Sequence, residues 1–112
     1  MAIKTRPVRR GDVCLIQLDP TLGSEIRKTR PCVVVSPDEL NHHLRTVIVA
    51  PMTTRGQAYP WRITCRFQNR SGFVATDQIR TIDIERITKH LGHLKANTLL
   101  SVLKALQEMF EP

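Results

Sequence analysis

The sequence has few of the features that would send it to a membrane, a secretory compartment or a metal site. No apolar run approaches the length needed to span a bilayer, and Met1 to Arg10 carries charge without the apolar segment of a signal peptide. A cytosolic chain with no membrane partner is therefore expected. The three cysteines, Cys14, Cys32 and Cys65, are odd in number and far apart, and two sit inside apolar runs. They read as reduced core thiols rather than as a disulfide or zinc framework, so neither a metal nor another cofactor is expected. Carboxylates are also scarce, with 10 Asp+Glu against 17 Lys+Arg and a net charge of +7. That balance favours an anionic partner without saying which. The chain contains no repeat, low-complexity tract or linker, and 112 residues suit one apolar core. Residues 1–112 are expected to form a single domain, with 1–9 as a loose basic arm that enters the fold near Gly11.

What is present is a series of short β-rich runs between polar loops. In Asp12 to Leu18, Cys14, Ile16 and Leu18 form an apolar face opposite the mixed face of Val13, Leu15 and Gln17. Pro31 to Val35 is an apolar run that fits a central strand. Ser36-Pro37-Asp38-Glu39 has the form of a capping box, with Ser36 as N-cap, and predicts a helical turn to about Asn41. His42 and His43 would lie at its exposed end. Further strands are expected at Thr46 to Ala50, ending at Pro51, and at Trp61 to Phe67, where Arg62, Thr64 and Arg66 share a basic face. A turn at Gln68 to Gly72 would precede a strand from Phe73 to Ile79. A short segment at Thr81 to Ile84 and an irregular strand at Ile87 to Leu94 follow. Finally, Leu99, Leu100, Val102, Leu103, Leu106, Met109 and Phe110 recur at helical spacing and predict an amphipathic helix over about Ala96 to Phe110. The expected fold is mainly β with α: a strongly bent antiparallel sheet or small barrel closed by that helix.

The loop Leu18 to Pro31 is too polar for a core and concentrates Arg27, Lys28 and Arg30 around one carboxylate, Glu25. Ser24, Glu25 and Arg30 could meet Thr53, Thr54 and Arg55 of a second loop, and Asp77, Gln78 and Arg80 after the Phe73 to Ile79 run, at one end of such a sheet. Together with the basic surface, the set suits single-stranded nucleic acid. An RNA phosphodiester carries its own nucleophile in the 2′-hydroxyl, so a metal-free site needs a base, an acid, and cations or hydroxyls for the phosphorane charge. Glu25 is the candidate base, Arg30 the stabiliser and possible proton donor, and Thr53 a hydroxyl donor. The same residues can equally be inert: Glu25 paired with Arg27 or Arg30, Thr53 capping a turn, Asp77 paired with Arg80. Tyr59 and Trp61 are candidate base-stackers, or else turn and rim packing. His90 and His93 match no zinc spacing and are not neighbours on one strand face, so they read as packing.

Arg10-Gly11-Asp12-Val13, Leu18-Asp19-Pro20-Thr21, Gly23-Ser24-Glu25 and Arg30-Pro31 resemble the opening of the PemK/MazF family of type II toxins, which are sequence-specific endoribonucleases. The likeness continues through Val49-Ala50-Pro51-Met52-Thr53-Thr54 and Asp77-Gln78-Ile79-Arg80-Thr81-Ile82-Asp83 to the Leu-rich helix, over about Arg9 to Phe110. It implies an SH3-like barrel, a homodimer whose groove binds single-stranded RNA, and metal- and ribosome-independent cleavage of mRNA to 2′,3′-cyclic phosphate and 5′-hydroxyl ends. It also implies a cognate antitoxin occupying the groove. By resemblance the catalytic arginine is Arg30, the catalytic threonine Thr53, and Glu25 sits in the matching motif. Asp77 matches a carboxylate used by some members, but Ala75 stands where those members have arginine. The alternative is a non-catalytic toxin similar to the CcdB gyrase poisons, and a third reading is an RNA-binding module without cleavage.

Overall fold

The structure is a computed structural model that describes residues 7–112. Seven strands run in chain order as β1 (Asp12–Gln17), β2 (Thr29–Val34), β3 (Thr46–Thr53), β4 (Arg62–Phe67), β5 (Arg70–Ala75), β6 (Arg80–Asp83) and β7 (Ile87–His93). Helix α1 (Asp38–His43) lies between β2 and β3, and helix α2 (Ala96–Met109) ends the chain. All strand pairings are antiparallel, in the order β4-β5-β3-β2-β1-β7, with β6 also on β3. The sheet stays open. Its ends nonetheless approach, for Gln68 Nε2 at the β4–β5 turn donates to Leu91 O on β7. The result is the bent, barrel-like sheet with a C-terminal helix that the sequence predicts.

Strand alternation sorts the core into two parts. Cys14, Ile16, Cys32, Val34, Val47 and Val49 fill one cluster, whereas Val13, Val33, Val35 and Ala50 fill another under α2. Both faces of β1, β2 and β3 are therefore buried, which explains why Pro31 to Val35 reads as an unbroken apolar run. Val102, with Leu99, Leu103 and Leu106 beside it, anchors α2 on the second cluster, and Ala105 is buried as well. Leu100 and Phe110, counted by spacing on the packing stripe, are instead 67% and 69% exposed.

Several boundaries differ from expectation for physical reasons. The fold includes residues before Gly11: Val8 is in the core, the Arg9 N–H donates to Asp12 Oδ2, and the Arg10 N–H donates to Asp38 Oδ1. Lys4 and Arg6 of the expected arm lie outside the described residues. Ser36 does not cap α1, whose N-cap is Pro37 with no side-chain bond. The Ser36 hydroxyl instead donates to Asn41 Oδ1 and accepts the Ile48 N–H of β3, so a buried tertiary contact takes the group that local sequence assigns to the cap. Strand β3 runs through Pro51 to Thr53. Residues Thr46 to Val49 pair with β6 and Met52 to Thr53 with β5, so Pro51 falls between the two ladders, where the strand changes partner. The β4–β5 turn is only Gln68-Asn69, both left-handed, so β5 starts at Arg70 and ends at Ala75, before a 3-10 turn over Thr76–Gln78.

Candidate functional site

The loop from Leu18 to Lys28 is closed at its base and pinned from outside. The Leu18 N–H donates to Lys28 O, and Asp19 accepts from Thr21 Oγ1 and from the Lys28 N–H. These two bonds to Asp19, more than the cationic surroundings of Arg27 and Lys28, hold its carboxyl below the usual range. From the far side of the sequence, Arg80 donates to Leu18 O, and Arg86 donates to Gln17 O and Asp19 O. Arg86 was not singled out from sequence, since a residue in a short turn gives no local sign of reaching back to β1. Arg27 and Lys28 are exposed, and the Arg27 carbonyl accepts Arg30 Nε at 3.1 Å.

The expected constellation is divided into two neighbouring recesses. One, of about 740 Å³, is lined by Ser24, Glu25, Asp77, Gln78 and Arg80. The other, of about 260 Å³, brings Arg30 together with Thr53 and Thr54 above Met52, Phe67 and Phe73. Adjacent residues of β3 border them, Pro51 the first and Met52 the second. Arg55 lines neither recess but donates its N–H to Thr53 Oγ1 at 3.1 Å. That bond leaves the Thr53 hydroxyl hydrogen available to a ligand, just as the bond from Arg30 Nε to Arg27 O leaves its terminal nitrogens available. Gly72 lets β5 pass close to this point, for a Cβ there would lie 2.5 Å from Thr53 O.

Asp77 is paired with Arg62, not Arg80. Arg62 Nε lies 2.6 Å from Asp77 Oδ1 and its Nη2 lies 3.0 Å from Oδ2. The fork lowers the Asp77 pKa and raises that of Arg62. The guanidinium also stands 5.6 Å from the Tyr59 ring centroid, and Tyr59 is exposed whereas Trp61 is half-buried. A second carboxylate, Asp12, lies in neither recess. It sits between His90 Nε2 at 3.2 Å and His93 Nδ1 at 3.0 Å, because a register shift near Gly92 turns both rings toward β1. The expectation that this spacing keeps them apart is thus overturned. Burial alone would raise the Asp12 pKa, but bonds from His93, the Arg9 N–H and His90 bring it below the usual value.

Residues 9–110 match the family described as the PemK-like, MazF-like toxin of type II toxin-antitoxin systems. The chain belongs to this family. It is 35% identical over 106 residues to the Bacillus subtilis endoribonuclease EndoA, covering 89% of this chain and 91% of that protein. It is 36% identical over 72 residues to the Escherichia coli endoribonuclease toxin MazF, a match spanning 64% of this chain and 65% of that relative's length. The crystal structure of MazF from Deinococcus radiodurans superposes with a TM-score of 0.82 at 26% identity, covering 93% of this chain and 96% of that one.

In this MazF-like chain, Arg62 supplies Asp77 with an arginine although position 75 is alanine. It lies directly opposite Ala75 in the β4–β5 register, so the guanidinium arrives from the neighbouring strand. The sequence places Arg62 on a basic face, but only the strand register shows which carboxylate that face meets. Cys14 and Cys32 are buried, free thiols, each pushed up to about 12 chiefly by burial, and Cys65 is free and raised by the same cause. Among the described residues, no group of three or more His, Cys, Asp or Glu side chains is arranged to hold a metal ion, the Asp12, His90 and His93 cluster included, and no helix is long and apolar enough to cross a membrane.

Proposed function

We propose that the chain is an endoribonuclease toxin that cuts single-stranded mRNA at specific sequences, independently of metal and ribosome, by attack of the substrate's own 2′-hydroxyl. The observation that carries this reading is the pairing of Arg30 with Thr53 at one recess beside the cleft that holds Glu25. Glu25 accepts the 2′-hydroxyl proton while O2′ bonds to phosphorus. The bond from phosphorus to O5′ breaks, and the leaving oxygen takes a proton from Arg30 or from a water it orients. The products are a 2′,3′-cyclic phosphate and a 5′-hydroxyl. Arg30 and the Thr53 hydroxyl stabilise the charge on the phosphorane oxygens, with Arg27, Lys28 and Arg55 drawing the backbone in. Oε1 of Glu25 already accepts the Leu22 N–H at 2.8 Å, which leaves Oε2 for the proton. Family membership supports a cognate antitoxin as partner, a homodimer as the active form, and the cytosol as the place where the substrate is met.

RNA incubated with the protein in EDTA, with product ends mapped, tests this directly. Cutting is expected to persist in the chelator and to fall by about 10²- to 10³-fold in Arg30→Ala. Intact RNA, or undiminished cutting by Arg30→Ala, would overturn the reading, and gyrase inhibition without cutting would favour a binding toxin.

A further inference from the structure

Glu25 stands exposed on the cleft loop, and the bonds around it within the loop are local ones to Leu22. The backbone on either side of it is held from elsewhere. Oε1 of Gln78 accepts the Ile26 N–H at 2.6 Å, while Nε2 of the same amide donates to Ser24 O at 3.3 Å. Those two groups belong to the peptide planes immediately after and before the Glu25 Cα. A primary amide offers one acceptor and one donor in a fixed fork, which is what gripping both planes at once requires. The 3-10 turn that carries Gln78 is itself held to the sheet. The Thr76 N–H and hydroxyl both donate to Trp61 O, at 2.9 and 2.6 Å, and Asp77 is clasped by Arg62.

We propose that Gln78 is a positioning residue for Glu25, a clamp that fixes the direction in which the loop presents its carboxylate. The inference rests on the reading of Glu25 as the base. It also changes the part assigned to Gln78 from sequence, because both ends of its amide are engaged by the protein rather than left for RNA. A clamp of this kind acts on turnover, since a carboxylate displaced by a fraction of an ångström still permits RNA to bind but removes the proton less well.

The test uses Gln78→Ala and Gln78→Glu alone and with Glu25→Gln, read by steady-state cleavage of a short RNA and by amide hydrogen exchange. Gln78→Ala is expected to lower kcat by about 10- to 100-fold with KM changed by no more than about twofold. Exchange at the Ile26 amide should accelerate. In the Glu25→Gln background, Gln78→Ala should cost nothing further, because the residue it positions is gone. Gln78→Glu keeps the acceptor, loses the donor and adds a negative charge beside Glu25, so the acid limb of the pH–rate profile should move to higher pH. A raised KM at unchanged kcat, or additive losses in the double variant, would overturn the clamp and make Gln78 an RNA contact. If the wild type cuts no RNA, the proposed function fails by itself, and unchanged Ile26 exchange in Gln78→Ala would still refute the clamp.

Discussion

At the scale of single residues, the pair of Arg62 and Asp77 separates the chemistry from its support. With side chains 16% and 32% exposed, the pair is partly screened, and its bidentate geometry is what makes it worth more than an ordinary surface contact. Asp77 has a lowered pKa, so its contribution is fully present above the unfolded carboxylate value of about 3.9 and disappears as pH falls through the lower folded value. Asp77→Asn is expected to cost about 1 kcal/mol at pH 7 and almost nothing near pH 2, measured as the difference in urea midpoint from wild type at each pH. A gap that stays constant with pH would mean that Asp77 is not stabilised by its charge. The partner of Asp77 was not legible in the sequence, because Arg62 is separated from it by the whole β4–β5 hairpin. The same limit hid the histidine pair on Asp12, which exists only because β7 shifts register beside Gly92.

At the scale of elements, the alternating runs of β1 and β4, the unbroken apolar run of β2 and the periodic C-terminal helix were readable because each shows its burial locally. Pro51 and Ser36 were misread for the opposite reason: a strand that changes partners can contain a proline, and a buried serine can leave its cap for a tertiary contact. The approach of β5 to β3 was invisible for the same reason, although it shapes the candidate site. Gly72 faces the carbonyl of Thr53 so closely that a methyl group must displace one backbone or the other. Gly72→Ala is therefore expected to lower stability by about 1 to 3 kcal/mol in urea titrations. Cleavage should also fall under conditions where the variant is fully folded, since the shift carries Thr53 with it. If the variant is as stable as wild type, the two strands are not in the contact described.

At the scale of the whole molecule, the excess positive charge was legible from composition, but its division of labour was not. Arg62, Arg80 and Arg86 spend donors on Asp77, Leu18, Gln17 and Asp19, so part of the net charge of +7 serves the fold. Arg27, Lys28 and Arg55 are exposed beside the two recesses, and among the described residues no carboxylate lies within ion-pair distance of them, Asp19 feeling Arg27 and Lys28 only from farther off. Their charges are available to displace counterions from a phosphate backbone. Binding of a single-stranded RNA should therefore weaken with salt, with a log–log slope of about −0.7 for each phosphate neutralised. Replacing Arg27 by Ala should reduce that slope by roughly one contact and weaken different RNA sequences alike, because a backbone contact carries no base information. Replacing Arg86 by Ala should instead loosen the loop, accelerating amide exchange at Leu18 and Lys28, while leaving the salt slope unchanged. Fluorescence anisotropy across a salt series distinguishes the two classes. Equal slopes for wild type and Arg27→Ala, together with a reduced slope for Arg86→Ala, would reverse the assignment of which arginines serve RNA and which serve the fold.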